Sequence, residues 1–161
     1  KALNIFRIVQ EAVHNALKHS TAKNILVIGA GDLSLPQEML IKSCADSVTV
    51  FDTHDKVMDQ VKMLGDINKD ISKSIDSGKI RLETNEASVV SKKYDGIIVV
   101  DRKLRPSKIR SMMSLDAYYA EVITNQKEFK EVCSQEGFRK ITFHEVSNTI
   151  KRFLIGKARY S

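Results

Sequence analysis

The stretch Asn24–Asp32, with the sequence NILVIGAGD, decides the fold. Its first part is a short apolar run rich in β-branched residues, which predicts a strand buried on both faces of a parallel sheet. Gly29 and Gly31 follow at once, and Ser34 and Pro36 are typical of the start of a helix. A strand, a glycine turn and a helix in succession predict the opening unit of a doubly wound α/β sheet.

The rest of the chain continues this alternation of apolar strands and amphipathic helices. Further strands are predicted at Ser47–Phe51, Lys79–Thr84, Tyr94–Val100, Ala117–Thr124, Phe138–Glu145 and Lys151–Arg159. Helices are predicted at Leu3–His19, Leu35–Ala45, from near His54 with a break at Gly65 and Asp66, and at Glu86–Lys92, Pro106–Leu115 and Gln126–Glu136.

This order of elements predicts the fold class. Strands that alternate with helices favour a parallel sheet covered on both faces. The short gap between the last two strands contains Ser147 and Asn148, which favours an antiparallel turn. We therefore predict an α/β protein with a doubly wound, mostly parallel seven-stranded Rossmann-like sheet, a C-terminal antiparallel hairpin and an N-terminal helix.

Length and composition are those of one globular domain. The 161 residues predict a single domain, with the N-terminal helix in residues 1–22 and the α/β core in residues 23–161. No apolar run approaches the roughly 20 residues that span a bilayer. Cys44 and Cys133 form no disulfide framework, so we expect a reducing, cytoplasmic setting without membrane attachment. The chain begins without methionine, so the sequence leaves open whether further residues precede Lys1.

Three polar strand ends are expected to meet at one edge of the sheet. Doubly wound sheets bind ligands outside the carboxyl ends of their strands, where the strand order reverses. Gly29, Ala30 and Gly31 follow the first strand, Asp52 follows the second and Asp101 follows the fourth. A carboxylate after the second strand can accept hydrogen bonds from both ribose hydroxyls, which predicts a nucleoside site. The alternative is a structural turn beside two solvated aspartates.

The choice of nucleoside depends on the glycine pattern and on the end of the chain. A dinucleotide site typically has a third glycine, where this chain has Ser34, and this disfavours NAD. NILVIGAGD, VTVFD, YDGIIVVD and EVCSQEGFRKITFHEV followed by RFLIGKAR resemble, in order and spacing, the class I S-adenosylmethionine-dependent methyltransferases. The resemblance extends from Asn24 to the end of the chain, and its closing antiparallel hairpin is uncommon in NAD folds.

The resemblance implies that S-adenosylmethionine is the cofactor and that the activity is methyl transfer. It identifies no catalytic residue, and the histidines show no spacing that would indicate a metal site. The residues assigned to the cofactor are Gly29, Ala30, Gly31, Asp32, Asp52, Thr53, Asn85, Glu86 and Asp101.

A non-catalytic nucleotide- or cofactor-binding module is the alternative to an enzyme. Val27 and Leu33 motivate it, because methyltransferases commonly have an acid and a further glycine at these places. An NAD-binding protein is a less favoured alternative.

A basic run after the fourth strand bears on the substrate. Arg102, Lys103 and Arg105 would lie at the ligand-binding edge, and Lys108 and Arg110 follow. Cations there can bind phosphates, so we predict an anionic substrate, with RNA as the first candidate and a small anionic molecule as the second. The net charge of +6 is compatible with this. A solvated loop and helix start is the alternative.

The N-terminal helix has a broad apolar face, which predicts packing on the sheet or on a second copy of the chain. Its sequence FRIVQEAVHNALKHS also resembles the ATP-binding helix of sensor histidine kinases. In that reading Asn15 would help to hold Mg²⁺ and His19 would lie near phosphate. The glycine-rich nucleotide boxes of those kinases do not follow, so a packing helix that permits a homo-oligomer is favoured.

Overall fold

The computed structural model describes residues 23–29, 45–53, 55–57, 59, 69–99, 104–123, 126–147 and 152–160. The predicted helices Leu3–His19 and Leu35–Ala45 lie outside these residues, as does the predicted break at Gly65 and Asp66. Residues 55–57 and 59 are helical, which confirms the helix expected near His54. Within the described ranges, no helix combines the length and the apolar character needed to cross a membrane.

Strands and helices alternate along the described chain. The strands are β1 (Asn24–Ile28), β2 (Ser47–Phe51), β3 (Ile80–Glu83), β4 (Tyr94–Val99), β5 (Met113–Ile123), β6 (Phe138–Ser147) and β7 (Arg152–Tyr160). The described helices with defined bounds are α1 (Lys69–Asp76), α2 (Glu86–Val90), α3 (Pro106–Ser111) and α4 (Gln126–Gln135).

These strands form one sheet in the order β3-β2-β1-β4-β5-β7-β6. The pairings from β3 to β5 are all parallel, whereas β7 runs antiparallel to both β5 and β6. The chain moves outward from β1 to β3 and then returns to place β4 on the other side of β1. The strand order therefore reverses between β1 and β4, and the predicted mostly parallel α/β class with its closing antiparallel hairpin is confirmed.

The central strands are buried on both faces, as their unbroken apolar runs predict. Alternate residues of β1 point to opposite faces, and Leu26 and Val27 are both at most 1% exposed. On the face that carries Leu26, the ring of Tyr119 stacks against Phe129 and Phe138, with ring centroids 6.0 and 5.2 Å apart. Tyr119 therefore has a packing role. Cys133 is a buried free thiol in the same cluster.

The boundary between α3 and β5 differs from the sequence prediction. The predicted helix Pro106–Leu115 ends at Ser111, and the strand predicted at Ala117–Thr124 begins already at Met113. The apolar spacing of residues 109, 112 and 113 suits a helix as well as a strand. Pairing decides between them, because Met113 lies opposite Tyr94 of β4 before the register of the two strands shifts.

The amino ends of three strands are joined through one carboxylate. Asp95 Oδ2 accepts hydrogen bonds from the backbone N–H groups of Lys23 and Asn24, at 3.1 and 3.2 Å. Its Oδ1 accepts a hydrogen bond from Ser114 Oγ at 3.1 Å. Asp95 therefore ties the start of β1 to β4 and β5 at the edge opposite the predicted ligand site.

Tyr94, at the start of β4, has its hydroxyl in the core. Burial raises the pKa of this hydroxyl, and the effect outweighs the opposing influence of the nearby Thr49 side chain. In the part of the chain that the structure describes, no group meets the distance and angle of a hydrogen bond to the hydroxyl. The buried hydroxyl therefore loses water and gains, among the described residues, only the nearby Thr49 side chain in exchange.

Replacing Asp95 tests whether its carboxylate joins the three strands at the amino edge. Asp95→Ala removes an acceptor shared by three donors and should lower the free energy of unfolding by about 1–2 kcal/mol, since the site is only half-buried. Urea unfolding measures this. Asp46→Ala, an exposed acid at the same edge, is the matched control and should change stability little. Equal unfolding midpoints for parent and Asp95→Ala would contradict the role of Asp95.

Replacing Tyr94 tests the buried hydroxyl. Tyr94→Phe removes a buried hydroxyl that is poorly satisfied by the described residues, so the free energy of unfolding at neutral pH should be unchanged or higher by about 1 kcal/mol. Because the pKa of Tyr94 is raised in the folded state, the parent loses stability as pH rises above about 10, where the unfolded tyrosine ionises first. The variant should lose less over that range. A clear loss at neutral pH would contradict the prediction.

Candidate functional site

The carboxyl ends of the parallel strands form a continuous row across the sheet. Phe51 of β2 lies opposite Ile28 of β1, and Ile28 lies opposite Val99 of β4. Val99 in turn lies opposite Glu121 of β5. The residues that follow this row, Gly29 among them, face the edge at which the strand order reverses. Ligands of doubly wound sheets bind at such an edge.

Gly29 turns the chain out of β1. Its φ of 93° lies in the left-handed region, which favours glycine because a Cβ would crowd the backbone there. Its N–H donates to the carbonyl of Phe51 at 2.9 Å, so the turn remains attached to β2. The glycine predicted from NILVIGAGD therefore allows the backbone to leave the sheet closely beside the end of β2.

Asp52 is a buried acid at the end of β2. It is 5% exposed, and its N–H donates to the carbonyl of Glu83 at 3.3 Å. Its Oδ1 accepts a hydrogen bond from the N–H of Thr53 at 2.7 Å. A buried carboxylate is costly unless hydrogen bonds hold it, and this contact fixes its direction. An oriented carboxylate of this kind is the group that binds a ribose diol in nucleotide sites.

Asn85 and Glu86 follow β3, and both are engaged within the protein. Asn85 Oδ1 accepts a hydrogen bond from the N–H of Ala87 at 3.0 Å, so the side chain caps α2. Glu86 forms an ion pair with Lys108 of α3. The hydrogen bond of Asn85 stabilises the start of α2, and the ion pair joins α2 to α3. The cofactor contact assigned to Asn85 and Glu86 remains a prediction.

The structure separates the cations of the basic run. Arg105 is exposed before α3, whereas Lys108 is paired with Glu86. α3 runs toward the start of β5, so Arg110 lies at the amino edge, where it lines a cavity with Lys93. Among the described cations of this run, Arg110 is therefore placed away from the predicted ligand site.

Several assigned residues belong to parts of the chain outside the described ranges. The predicted site residues that the structure describes are Gly29, Asp52, Thr53, Asn85, Glu86 and Arg105. The predicted site residues outside the described ranges are Ala30, Gly31, Asp32, Asp101, Arg102 and Lys103.

Glu121 is an ionisable residue at this edge that the sequence analysis did not single out. It is 4% exposed, and one of its oxygens accepts a hydrogen bond from the Tyr119 hydroxyl at 3.1 Å. The available signal was the charge itself, because a single acid in the apolar strand sequence AYYAEVIT is unusual for a buried strand.

The chain is similar to one curated protein and to many solved structures. No family model matches it. A polyamine aminopropyltransferase from Ruegeria sp. (strain TM1040) is 26% identical over 145 residues, covering 85% of this chain and 48% of that protein. The chain thus spans about half the length of the curated relative that it matches.

Two solved structures illustrate the likeness in fold. The precorrin-6Y C5,15-methyltransferase from Geobacter metallireducens GS-15 has a TM-score of 0.70 and 12% identity, over 95% of this chain and 88% of that one. TrmK from M. capricolum, in complex with S-adenosyl-homocysteine, has a TM-score of 0.69 and 13% identity, over 94% and 67%. The chain therefore has the Rossmann-like fold of class I S-adenosylmethionine-dependent methyltransferases.

Proposed function

We propose that the chain binds S-adenosylmethionine at the carboxyl edge of its sheet and transfers the methyl group to an acceptor. One observation carries the proposal. The left-handed turn at Gly29 and the buried carboxylate of Asp52 lie on neighbouring strands beside the point where the strand order reverses. The likeness to methyltransferase structures supports the choice of this nucleoside.

The described residues fit such a cofactor. Asp52 is buried, oriented by Thr53, and of the right chemistry to accept hydrogen bonds from ribose hydroxyls. Gly29 presents backbone without a side chain next to it, so a ligand can approach closely. Both lie within one strand spacing, about 5 Å, of each other along the edge. We assign the ribose to Asp52 and the close backbone approach to Gly29.

The protein's own contribution to methyl transfer would be chiefly positional. The sulfonium of S-adenosylmethionine supplies an electrophilic methyl carbon, which passes to a nucleophile while sulfur keeps the bonding electrons and becomes a thioether. Asp52 and the turn at Gly29 would fix the nucleoside, so that the acceptor meets the methyl carbon in line. Alignment of two reactants can supply a large part of a rate enhancement without an acid or a base.

Aminopropyl transfer is a second candidate, and the aminopropyltransferase similar to this chain favours it. Both reactions move an alkyl group from an adenosyl sulfonium to a nucleophile, so one site can serve either. The two are separated by incubating the protein with S-adenosylmethionine or with its decarboxylated form in the presence of an amine. A non-catalytic binding module would bind the nucleoside and transfer neither group.

We also propose that the basic run containing Arg102, Lys103 and Arg105 binds an anionic acceptor. Arg105 at the start of α3 supports this, and Arg102 and Lys103 precede it in the sequence. RNA is the first candidate and a small anionic molecule is the second.

The ribose assignment is tested with S-adenosylhomocysteine by calorimetry. Asp52→Ala should weaken binding about 10- to 100-fold, since a charged hydrogen-bond acceptor contributes about 1.5–3 kcal/mol. Asp55→Ala, which changes an exposed acid three residues later, should leave affinity unchanged. Urea unfolding of both variants separates lost binding from lost structure. If folded Asp52→Ala binds as tightly as the parent, the assignment is wrong.

The acceptor proposal is tested by the salt dependence of RNA binding. If phosphates are bound, the logarithm of the binding constant should fall with the logarithm of salt, with a slope of roughly 0.7 per phosphate for single strands. Changing Arg102, Lys103 and Arg105 together to Gln should flatten this slope and leave S-adenosylhomocysteine affinity nearly intact. An unchanged slope, or no RNA binding by the parent at low salt, would direct the search to other acceptors.

A further inference from the structure

The amino edge of the sheet contains a cavity that the proposed function does not use. Its volume is about 140 Å³, close to that of a cavity that holds a small organic molecule, so a phosphate group fits. Two cations line it, Lys93 from the residue before β4 and Arg110 from α3, together with Ser107 and Ser111. Lysine, arginine and serine side chains are those that bind phosphate oxygens in nucleic-acid complexes. The chemistry of the lining therefore suits an anion.

Lys93 is held at this cavity with most of its donors unused. Its Nζ donates to the backbone carbonyl of Ser111, the last residue of α3. An ammonium group has three donors, so two are left for a ligand. The bond to Ser111 fixes the charge before anything binds, which lowers the ordering cost of binding.

Two further lysines extend the positive charge beyond the cavity. Lys92 precedes Lys93, and Lys23 precedes β1. Ile25 lies opposite Gly96, so the starts of β1 and β4 are neighbours, about 5 Å apart. Lys23, Lys92 and Lys93 are exposed, and in the part of the chain that the structure describes none of them forms an ion pair. These three lysines are called the amino-edge patch.

The acids around the amino-edge patch are too few to neutralise it. Asp95 lies between β1 and β4, where it accepts hydrogen bonds from two backbone N–H groups and from Ser114. The other described acids of this edge lie further along it: Asp46 at β2, Asp76 toward β3 and Glu136 toward β6. Three lysines thus stand beside one carboxylate, and the patch keeps a positive charge that attracts anions.

We propose that the amino-edge patch and the adjoining cavity bind the phosphate groups of a nucleic-acid strand. The cavity admits one phosphate, and Lys23 and Lys92 outside it suit further phosphates of a continuous chain, whereas a small anion would use the cavity alone. The inference goes beyond the proposed function, because this edge lies about 15–20 Å from the candidate cofactor site, at the other end of the strands. A strand bound here is held by its backbone, irrespective of its bases.

The experiment measures how the affinity for a labelled single-stranded RNA of about 20 nucleotides depends on salt, between about 0.05 and 0.2 M. Fluorescence anisotropy gives the binding constants of the whole chain and of a patch variant in which Lys23, Lys92 and Lys93 are changed together to Gln. The matched control changes three other exposed lysines to Gln, Lys69 of α1 and Lys127 and Lys130 of α4. Urea unfolding checks that both variants are folded.

The expected result is a loss of phosphate contacts in the patch variant alone. Each contact contributes roughly 0.7 to the salt slope of a single strand, so the slope should flatten by roughly 2 and affinity at about 0.1 M salt should fall about ten- to a hundredfold. The control has the same net charge, and it should keep the slope of the parent. S-adenosylhomocysteine affinity should be the same in all three proteins.

Three results would overturn the inference. In the first, the patch variant keeps the parent's slope, or the control loses as much, so that only net charge matters. In the second, an RNA of about four nucleotides binds as tightly as the long one, which leaves a site for a single phosphate. In the third, the parent binds no RNA at low salt. Failure of the parent to bind S-adenosylhomocysteine would overturn the proposed function alone, because the patch is tested without the cofactor.

Discussion

The candidate site depends on the parallel pairing of β1 between β2 and β4. Ile28 lies opposite both Phe51 and Val99, so three strands end at the same level of the sheet. A slip of one residue in either pairing would move every side chain of that strand to the other face. The in-register alignment therefore brings Gly29 beside the end of β2, and the carboxylate of Asp52 beside the turn.

The carboxylates at the two edges of the sheet differ in their burial and in their hydrogen-bond partners. At the amino edge the carboxylate of Asp95 is shared among the donors of Lys23, Asn24 and Ser114, which closes the edge and stabilises the fold. At the carboxyl edge two acids, Asp52 and Glu121, are buried, and each accepts a hydrogen bond from a neighbour, the N–H of Thr53 and the hydroxyl of Tyr119 respectively. Oriented polar groups held away from bulk water are what ligand binding at such an edge needs.

Much of the architecture could be predicted from the sequence, because the central strands are short apolar runs bounded by clear breaks. NILVI, SVTVF and YDGIIV read as buried strands, and each is one in the structure. The end of α3 could not be predicted, since residues 109–113 suit a helix and a strand equally, and only the pairing of Met113 with Tyr94 decides. Asp52 could be placed from its position after a strand. Glu121 could not, because its significance comes from cross-strand neighbours that lie distant in the sequence.

The basic run shows why a cluster of charges in a sequence differs from a patch on a surface. The residues from Arg105 to Arg110 are close in the chain, yet Arg110 lines a cavity with Lys93 at the amino edge, away from the candidate site. Lys108, midway, is paired with Glu86, which reduces what it can offer to a phosphate. Topology thus separates Arg110 from the candidate site, while it brings Asp52 and Glu121, 69 positions apart in the chain, to the same edge of the sheet. The charge at each edge therefore depends on strand order and helix direction as well as on position in the sequence.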